Sequence, residues 1–338
     1  MELKIINRMK NLSHKFCVAP MMDWSDRHCR YFHRQLTKHA LLYTEMVTAD
    51  AVLRGDRQRL IGFSGEEHPV ALQLGGSDPA KLAAASEIGQ EFGYDEINLN
   101  VGCPSDRVQE GRFGACLMAE PDLVAQCFAA MQSRVTIPVT IKCRIGIDDQ
   151  DAEADFQNFI DRVADAGCAT FIVHARKAWL KGLSPKENRE IPPLDYARVY
   201  RLKQARPELE IIINGGIETL NACDEHLQHV DGVMLGRAAY QDPALLGQID
   251  RRYFDAAVPE IQRADALLAL TPYADRHVAQ GGRISNITRH VLGLYQGQPR
   301  GRQFRRVLSE EATRPGADAS VLRKALSIVE HGTELEVA

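Results

Sequence analysis

The stretch that decides the fold is Asn98-Leu-Asn-Val-Gly-Cys-Pro-Ser-Asp-Arg-Val-Gln-Glu-Gly-Arg-Phe-Gly-Ala-Cys-Leu-Met118, where an apolar run passes directly into a glycine-rich segment carrying Cys103. Residues 95–100 predict a strand, which a glycine and a proline then end. Gly111 and Gly114 predict that the segment after the strand is an irregular loop. Cys103 is therefore expected just past a strand end, with its thiol facing a cleft.

Eight short apolar runs, including this one, are rich in β-branched residues and predict strands. They lie at 16–19, 41–44, 70–74, 96–100, 139–143, 170–174, 211–214 and 232–235. Helices are predicted between them at 26–36, 79–92, 121–134, 154–166 and 194–205. Alternation of strands and helices favours a parallel sheet. Eight such units over roughly 235 residues predict an α/β fold of the (β/α)8 TIM-barrel class.

Nearly every predicted strand ends in a polar or ionisable group. The residues at the eight strand ends are Pro20 and Met21, Glu45, Gln73, Asn100 with Cys103, Lys142 with Arg144, His174 with Arg176, Asn214-Gly215-Gly216, and Gly236-Arg237. Because the active site of such a barrel lies at the C-terminal ends of its strands, these residues are predicted to share one site. The alternative is that the strands simply give way to polar loops.

The pattern changes after the last predicted strand. Val258-Pro259 indicates a linker, and helical spacing takes over at 264–279, 284–295, 302–311 and 320–329. The sequence therefore predicts a barrel domain at 12–257 and a small C-terminal helical domain at 258–338. Within 283–324, nine basic residues stand against three acidic ones, which gives a local charge of +6.

Composition limits the class of protein. The 338 residues are 45% apolar and 25% charged, as in ordinary globular proteins. The 41 basic and 45 acidic residues give a net charge of −4, which provides no whole-chain signal for nucleic acid or an anionic membrane. The eight cysteines show no C-x-x-C pair or zinc spacing, so we expect reduced thiols and no metal. No signal-peptide core or membrane-length apolar run is visible, and a cytoplasmic protein is expected.

Asn214-Gly215-Gly216 and Gly236-Arg237 follow the seventh and eighth predicted strands, the usual phosphate-binding corner of such barrels. Glycines let backbone N–H groups approach an anion, and an arginine can bind it with two N–H groups. These residues therefore predict a phosphate site. The alternative is that the glycine pair is only a turn.

Lys142 lies among apolar neighbours on the fifth predicted strand and is expected to point into the mouth of the barrel. Two roles are open for it: a Schiff base, or a fixed positive charge beside an electron-rich cofactor ring. Gln73 and His174 could supply hydrogen bonds to the polar edge of the same ring. A histidine satisfied within the core is the alternative for His174.

Cys103 has three possible roles: nucleophile, proton donor or inert loop thiol. A nucleophile needs a depressed pKa and a nearby base, and nothing in the motif supplies an obvious one. A thiol with a reference pKa of about 8.5 is mostly protonated at neutral pH and suits a general acid. Cys116 follows Gly114-Ala115 and is expected to be a packed residue at a helix start, because buried cysteine usually behaves as a small hydrophobe.

Taken together, the motifs resemble one family, the tRNA-dihydrouridine synthases. Those that carry the resemblance are Ala19-Pro20-Met21-Met22-Asp23, Leu72-Gln73-Leu74, Asn98-Leu-Asn-Val-Gly-Cys-Pro-Ser105, Lys142-Cys-Arg144, Val173-His-Ala-Arg176, Asn214-Gly-Gly216 and Gly236-Arg237. They run in order through the whole predicted barrel. Residues 176–189 are similar to the A-type bacterial subgroup, which acts in the tRNA D-loop at positions 20 and 20a.

The resemblance implies a flavin-dependent enzyme that acts on tRNA, with FMN as cofactor and NADPH as reductant. The implied FMN contacts are Pro20, Met21, Met22, Gln73, Lys142, His174, Asn214, Gly215, Gly216, Gly236 and Arg237, and the implied tRNA contacts are Asn100, Lys186, Arg189, Arg302 and Arg305. Cys103 is implied to be the catalytic proton donor. Because no dinucleotide fingerprint is visible, the residues themselves do not distinguish NADPH from NADH. A monomer is expected.

In the chemistry that the resemblance implies, a nicotinamide reduces the flavin, flavin N5 passes a hydride to C6 of uridine, and Cys103 protonates C5 to give 5,6-dihydrouridine. Lys142 would stabilise the negative charge that develops toward N1 and O2 of the flavin ring. A uracil in folded RNA must be flipped out of its stack to reach such a pocket. The basic segment 283–324 and residues 177–189 would then hold backbone phosphates. The alternative for these basic residues is a solvated surface.

Three other functions remain open at this point. The chain could be a flavin barrel reductase of a free pyrimidine or small enone, with the helical domain serving dimerisation. It could be a phosphate-site aldolase or isomerase that uses Lys142 as a Schiff base. It could also be an RNA-binding protein on a barrel without catalytic activity.

Overall fold

The computed structural model describes residues 12–150 and 153–331, and within them the chain forms nine β-strands. Their bounds are β1 Phe16–Val18, β2 Leu41–Tyr43, β3 Val47–Thr48, β4 Val70–Gly75, β5 Glu96–Val101, β6 Val139–Arg144, β7 Thr170–His174, β8 Glu210–Asn214 and β9 Gly232–Leu235. All eight predicted strands are present, each within one residue of its expected ends. The short strand β3 is not predicted from the sequence.

Eight of these strands close into a barrel. Strands β4 to β9 pair in sequence, β9 pairs with β1, β1 with β2, and β2 with β4, all in parallel. Strand β3 lies outside this ring and pairs with the end of β4. Parallel strands covered on both faces read as continuous apolar runs, which is why the sequence reveals them. The predicted (β/α)8 TIM-barrel class is confirmed.

Helices follow most of the strands. The α-helices of the described residues are Arg27–Leu36, Ala49–Arg54, Arg57–Ile61, Pro79–Glu91, Asp106–Glu110, Pro121–Gln132, Glu153–Asp165, Tyr196–Ala205, Leu220–Leu227, Arg237–Gln241, Leu246–Ile249, Arg263–Ala279, Ser285–Val291, Gly301–Glu310 and Ser320–His331. Several begin at a side-chain cap: Asp26, Asp78, Asp195 and Thr219 each accept from first-turn backbone N–H groups. Each such cap stabilises its helix by about 1 kcal/mol.

Apolar side chains fill the inside of the barrel. The buried cluster consists of Cys17, Ala19, Leu41, Tyr43, Ala71, Ile172, Ile212 and Met234. Because these residues come from six different strands, each one helps to hold the ring closed. Truncating Ile172 to alanine is expected to cost about 2–5 kcal/mol, since the cavity would be bounded by strands that cannot collapse into it.

The segment after β5 is more regular than the sequence predicts. Instead of an irregular loop from Gly102 to Gly114, the chain forms the helix Asp106–Glu110 and then the 3₁₀ helix Gly114–Ala119. The first turn forms because the Ser105 carbonyl accepts from backbone N–H groups three and four residues later. The expectation of a loop was wrong because glycine spacing indicates where a helix is weak, not whether tertiary contacts support it.

The chain divides into two compact units by its internal contacts. Of the described residues, the barrel unit contains 12–22, Leu41–Phe63 and those between His68 and Gly236, and the helical unit contains Asp23–Ala40, Ser64–Glu67 and 237–331. The helix Arg27–Leu36, which the sequence places between β1 and β2, therefore belongs to the helical unit. The domain division at 257/258 stays a prediction.

The helical unit is held together around the helix Arg27–Leu36. Tyr31 stacks on Tyr273 with ring centroids 3.9 Å apart. Asp26, at the start of the helix, forms an ion pair with Arg289 at 2.6 Å and contacts His290 at 3.0 Å. These contacts hold the pKa of Asp26 well below its usual range, although its burial acts in the opposite direction.

None of the helices between residues 12–150 and 153–331 is both long and apolar enough to cross a membrane. Within the same residues, no group of three or more His, Cys, Asp and Glu side chains is arranged to hold a metal ion.

Candidate active site

The structure brings five of the predicted site residues to the C-terminal end of the barrel strands. In the strand register, Asn100 pairs with Lys142 and His174 pairs with Asn214. Gln73 lies near the end of β4, opposite Asn98 of β5. Since all the barrel strands are parallel, these side chains share one end of the barrel unit.

Lys142 is held by an asparagine of β8, two strands away in the barrel, rather than by a carboxylate. Its Nζ donates to Asn214 Oδ1 at 3.0 Å, and Asn214 Nδ2 in turn donates to the Met234 carbonyl at 2.7 Å. Burial lowers the pKa of Lys142 to about 8, and the positive charge of Arg144 acts in the same direction. Lys142 is therefore a cation at pH 7 that loses its charge readily as the pH rises.

His174 is neutral at physiological pH. Burial is the largest cause that drives its pKa well below the usual value, followed by the positive charges of Arg144 and Lys142. The ring packs against Gly215, whose φ is +113°. A Cβ on Gly215 would lie 2.5 Å from His174 Cδ2, so this position requires glycine both for its backbone conformation and for the close approach of the ring.

Cys103 lies in a turn that Asn100 shapes. The Asn100 Oδ1 atom accepts from the backbone N–H groups of Gly102 at 3.1 Å and Cys103 at 2.9 Å. The Cys103 thiol is partly exposed and lies 3.5 Å from the Ser105 hydroxyl. On its other side, a Cβ on Gly114 would come within 2.6 Å of the Cys103 carbonyl oxygen. Asn100 and Gly114 thus fix the backbone of Cys103 from two directions.

Cys116 has a different environment from Cys103. It lies in the 3₁₀ helix Gly114–Ala119, and its Sγ donates to the Phe113 carbonyl at 3.1 Å. Burial raises the pKa of the Cys116 thiol, and the nearby Glu120 carboxylate raises it further. These features make its thiolate harder to form.

Two side chains, the buried Arg144 and the half-buried Gln109, tie the Cys103 segment to residues 177–189, and the sequence did not reveal this link. Arg144 Nε donates to the Gly102 carbonyl at 2.8 Å, while its Nη1 donates to the carbonyls of Lys177 at 2.9 Å and Asn188 at 3.1 Å. Gln109 Nε2 donates both to the Pro104 carbonyl and to the Leu180 carbonyl, each at 2.9 Å. The only sequence signal was the position of Arg144 at a strand end.

Residues 177–189 are built around a buried asparagine. The Asn188 amide accepts from the Trp179 N–H at 2.8 Å and donates to the Trp179 carbonyl at 2.9 Å. Its neighbours Lys186 and Arg189 are exposed. The segment therefore has a fixed backbone that carries exposed basic side chains.

In the helical unit, Arg302 and Arg305 lie on the exposed face of the helix Gly301–Glu310. Phe304 and Leu308 form its buried face. Arg305 Nη1 donates to Gln296 Oε1 at 2.9 Å, which limits the directions that this guanidinium can take.

The remaining predicted FMN contacts lie at chain positions around β1 and β9. Pro20 and Met21 are partly buried, and Met22 is 57% exposed. Gly236 follows β9, and a Cβ on it would lie 3.5 Å from Met21 Sδ. Arg237 begins the helix Arg237–Gln241 and belongs to the helical unit, so its assignment to the phosphate stays a prediction.

The chain resembles known proteins along almost its whole length. Residues 17–330 match the family model described as dihydrouridine synthase (Dus). A protein of Xanthomonas campestris pv. campestris named tRNA-dihydrouridine(20/20a) synthase is 61% identical over 311 residues, 92% of each chain. A protein of Yersinia pestis with the same name is 58% identical over 316 residues, 93% of this chain and 91% of its own.

A comparison with solved structures supports the fold alone. A 2-naphthoyl-CoA reductase in complex with 2-naphthoyl-CoA superposes with a TM-score of 0.56 at 10% identity, covering 72% of this chain and 52% of that one. The family resemblance seen in the motifs is confirmed by the match over residues 17–330. The chain belongs to the dihydrouridine synthase family.

Proposed function

We propose that this protein reduces the C5–C6 double bond of uridine in the tRNA D-loop, at positions 20 and 20a, to 5,6-dihydrouridine, with FMN as cofactor and NADPH as reductant. The observation that carries the proposal is the Asn100 turn, which fixes Cys103 at the same end of the barrel as Lys142 and His174. In this proposal the chain works as a cytoplasmic monomer without a metal ion. The names of the relatives give the substrate and its positions.

The donor set at this end of the barrel fits a flavin. A flavin ring offers carbonyl oxygens and ring nitrogens along one edge, and Gln73, Lys142 and His174 supply an amide, a cation and a neutral imidazole. Gly215 and Gly216 both have positive φ angles, which suits a tight turn around a phosphate. We assign the ring to the first three residues and the phosphate to Asn214, Gly215, Gly216, Gly236 and Arg237, with Pro20, Met21 and Met22 beside the cofactor.

When bound, FMN supplies the hydride that adds to C6 of the uracil. Cys103 gives the proton to C5, so that one hydride and one proton together saturate the double bond. The turn made by Asn100 holds the thiol in place during this transfer. The Ser105 hydroxyl lies 3.5 Å from Sγ, and in this proposal it returns a proton to the thiol.

Binding of tRNA requires contacts outside the pocket, because a stacked uracil must leave the helix before it can react. Lys186 and Arg189 are exposed on the barrel unit, and Arg302 and Arg305 are exposed on the helical unit. We assign these four residues to backbone phosphates, which bind basic side chains without reading sequence. Asn100 is assigned to the uracil itself.

The proposal is tested with purified protein and tRNA from a strain that lacks the corresponding gene. We expect a flavin absorption spectrum and, after incubation with NADPH, nucleosides two hydrogen atoms heavier at positions 20 and 20a by mass mapping. Unchanged tRNA together with reduction of free uracil would instead favour a pyrimidine reductase. A colourless protein without flavin would refute the cofactor assignment.

A further inference from the structure

A line of hydrogen bonds runs through the barrel interior from the Cys103 turn to a buried carboxylate. Its side-chain links are Asn100 Nδ2 to Gln73 Oε1 at 2.9 Å, Gln73 Nε2 to Asn98 Oδ1 at 2.8 Å, Asn98 Nδ2 to Thr140 Oγ1 at 2.8 Å, and Thr140 Oγ1 to Glu96 Oε1 at 2.6 Å. All five residues are buried. We call this line the Glu96 relay.

The direction of the relay follows from both of its ends. At the upper end, backbone N–H groups can only donate, so the atom of Asn100 that faces Gly102 and Cys103 must be Oδ1. At the lower end, a carboxylate can only accept, so the Thr140 hydroxyl must donate to Glu96 and accept from Asn98. Both ends require the same orientation of every amide between them.

Glu96 has two further neighbours at the lower end of the relay. Tyr43 donates its hydroxyl to Glu96 at 2.7 Å, and His14 contacts Glu96 with one ring nitrogen and Glu210 with the other. Burial alone would lower the pKa of His14, but the two carboxylates outweigh it and raise the pKa to about 10. The imidazolium of His14 therefore supplies a positive charge beside Glu96 at neutral pH.

The relay determines which atom of Asn100 is left for a ligand. Oδ1 already accepts two backbone N–H groups, and Nδ2 already gives one of its two hydrogens to Gln73. A carbonyl oxygen has two lone pairs and an amide nitrogen has two hydrogens. Asn100 can therefore offer a ligand one N–H donor, which pairs with an acceptor and not with another N–H.

We propose that Glu96 and Thr140 are positioning residues that act through the relay, and that Asn100 recognises a carbonyl oxygen of the uracil rather than its N3–H group. This inference rests on the proposed function, because it takes Asn100 to be the substrate contact. To the proposed function it adds the chemical group that Asn100 recognises. It also adds two residues, Glu96 and Thr140, that fix the orientation of the Asn100 amide.

The first test is Thr140→Val, which keeps the side-chain volume and removes the hydroxyl. Asn98 Nδ2 then loses its acceptor, and a buried amide donor without a partner rearranges to recover one. Gln73 and Asn100 are displaced with it, so we expect kcat/KM for tRNA to fall about 10-fold. Thr140→Ser retains the hydroxyl and is expected to restore activity.

Thr170→Val is the matched control, because Thr170 is also a buried threonine of the barrel that donates to a glutamate. Its hydroxyl contacts Glu210 at 2.9 Å and takes no part in the relay. Its loss is expected to lower thermal stability while leaving kcat/KM unchanged. An equal loss of activity in both valine variants would mean that the effect is structural, and the relay would be refuted.

A double-mutant cycle with Asn100→Ala isolates the coupling. If Thr140 acts through Asn100, Thr140→Val should cost much less in the Asn100→Ala background than in the wild type. The same fold-loss in both backgrounds would overturn the proposal. Failure of the wild type to reduce any tRNA would refute the proposed function instead, so the two failures are distinguishable.

The identity of the recognised atom is tested with tRNA that carries 2-thiouridine or 4-thiouridine at the target position. Sulfur accepts hydrogen bonds more weakly than oxygen, so one of the two substitutions should lower kcat/KM in the wild type. The same substitution should have little effect in Asn100→Ala. Loss of the same size in both enzymes for both substrates would exclude a carbonyl contact by Asn100.

Discussion

Arg144 donates to the carbonyl oxygen of Gly102, the residue that precedes Cys103, across 2.8 Å. The same guanidinium donates to two carbonyls in residues 177–189. One buried cation therefore holds both the segment that carries the thiol and the segment assigned to tRNA. Burial lowers the pKa of Arg144 to about 10, which leaves it charged at neutral pH.

Replacing Arg144 with lysine is expected to lower kcat for tRNA at least about 10-fold, because an ammonium group cannot span three carbonyls as a planar guanidinium does. Flavin content should remain that of the wild type. Stopped-flow reduction of tRNA and the flavin absorption spectrum provide the two measurements. Arg201→Lys, in the exposed pair with Glu153, is the control and should keep full activity. If Arg144→Lys kept full activity as Arg201→Lys does, the link between the Cys103 segment and residues 177–189 would have no role in turnover.

Cys103→Ala should retain flavin and oxidise NADPH but fail to produce dihydrouridine, since the proton at C5 then lacks a donor. Cys116→Ala should still turn over, because its thiol is engaged with the Phe113 carbonyl. Single-turnover assays with tRNA distinguish the two variants. The reverse result would exchange the roles assigned to the two cysteines.

Arg302→Ala and Arg305→Ala should each weaken binding of all tRNAs to a similar extent. A lost phosphate contact lowers the slope of log K against log salt by about one unit. Binding measured by filter retention over a series of salt concentrations tests this. Arg134, which is exposed on the barrel unit, provides a control of equal charge, and its replacement should leave the slope unchanged. Slopes that stay at the wild-type value would place Arg302 and Arg305 on a merely solvated face.

The stability of the protein should fall as the pH rises from about 7 to about 10 because of His14. The folded-state pKa of His14 is raised to about 10, above the unfolded value of about 6.5. The contribution of His14 to the free energy of unfolding is therefore complete below pH 6.5 and is lost as the pH rises through about 10. We expect a loss on the order of 3 kcal/mol in the wild type.

Urea unfolding at several pH values measures this contribution. His14→Gln should be less stable at pH 7 and should lose less stability on the way to pH 10. His229→Gln, at an exposed position, should keep the wild-type dependence. If the free energy of unfolding fell equally with pH in the wild type and in His14→Gln, the contacts of His14 with Glu96 and Glu210 would not be the source of the pH dependence.

The sequence predicted the barrel well because its strands are buried on both faces and read as continuous apolar runs. The helix predicted at 26–36 is present as Arg27–Leu36, and Asp26 accepts from its first-turn N–H groups. Strand β3, of two residues, was missed because Val47–Thr48 is too short to show a period. Predicted helix 284–295 is shorter in the structure, where the helix is Ser285–Val291.

For the site, the rule that strand ends carry function indicated Gln73, Lys142 and His174. The sequence could not reveal what Gln109 does, because it binds a backbone carbonyl 71 residues away. Every residue has a backbone carbonyl, so the sequence does not show which carbonyl accepts a hydrogen bond. The Glu96 relay was hidden for a related reason: its residues look like ordinary polar breaks within strands until the register places them side by side.

The helix Arg27–Leu36 has a consequence for the synthesis of the protein. Its capping and stacking partners lie near the other end of the chain: His28 contacts Tyr273, 245 residues later, across 2.7 Å. On the ribosome, this helix emerges early and must wait until its partners on the helices Arg263–Ala279 and Ser285–Val291 have been synthesised. A chain that stops at residue 257 would carry the helix with Tyr31 deprived of its stacking partner. Synthesis of residues 263–291, and not completion of the last barrel strand, is therefore the step that supplies the partners of this helix.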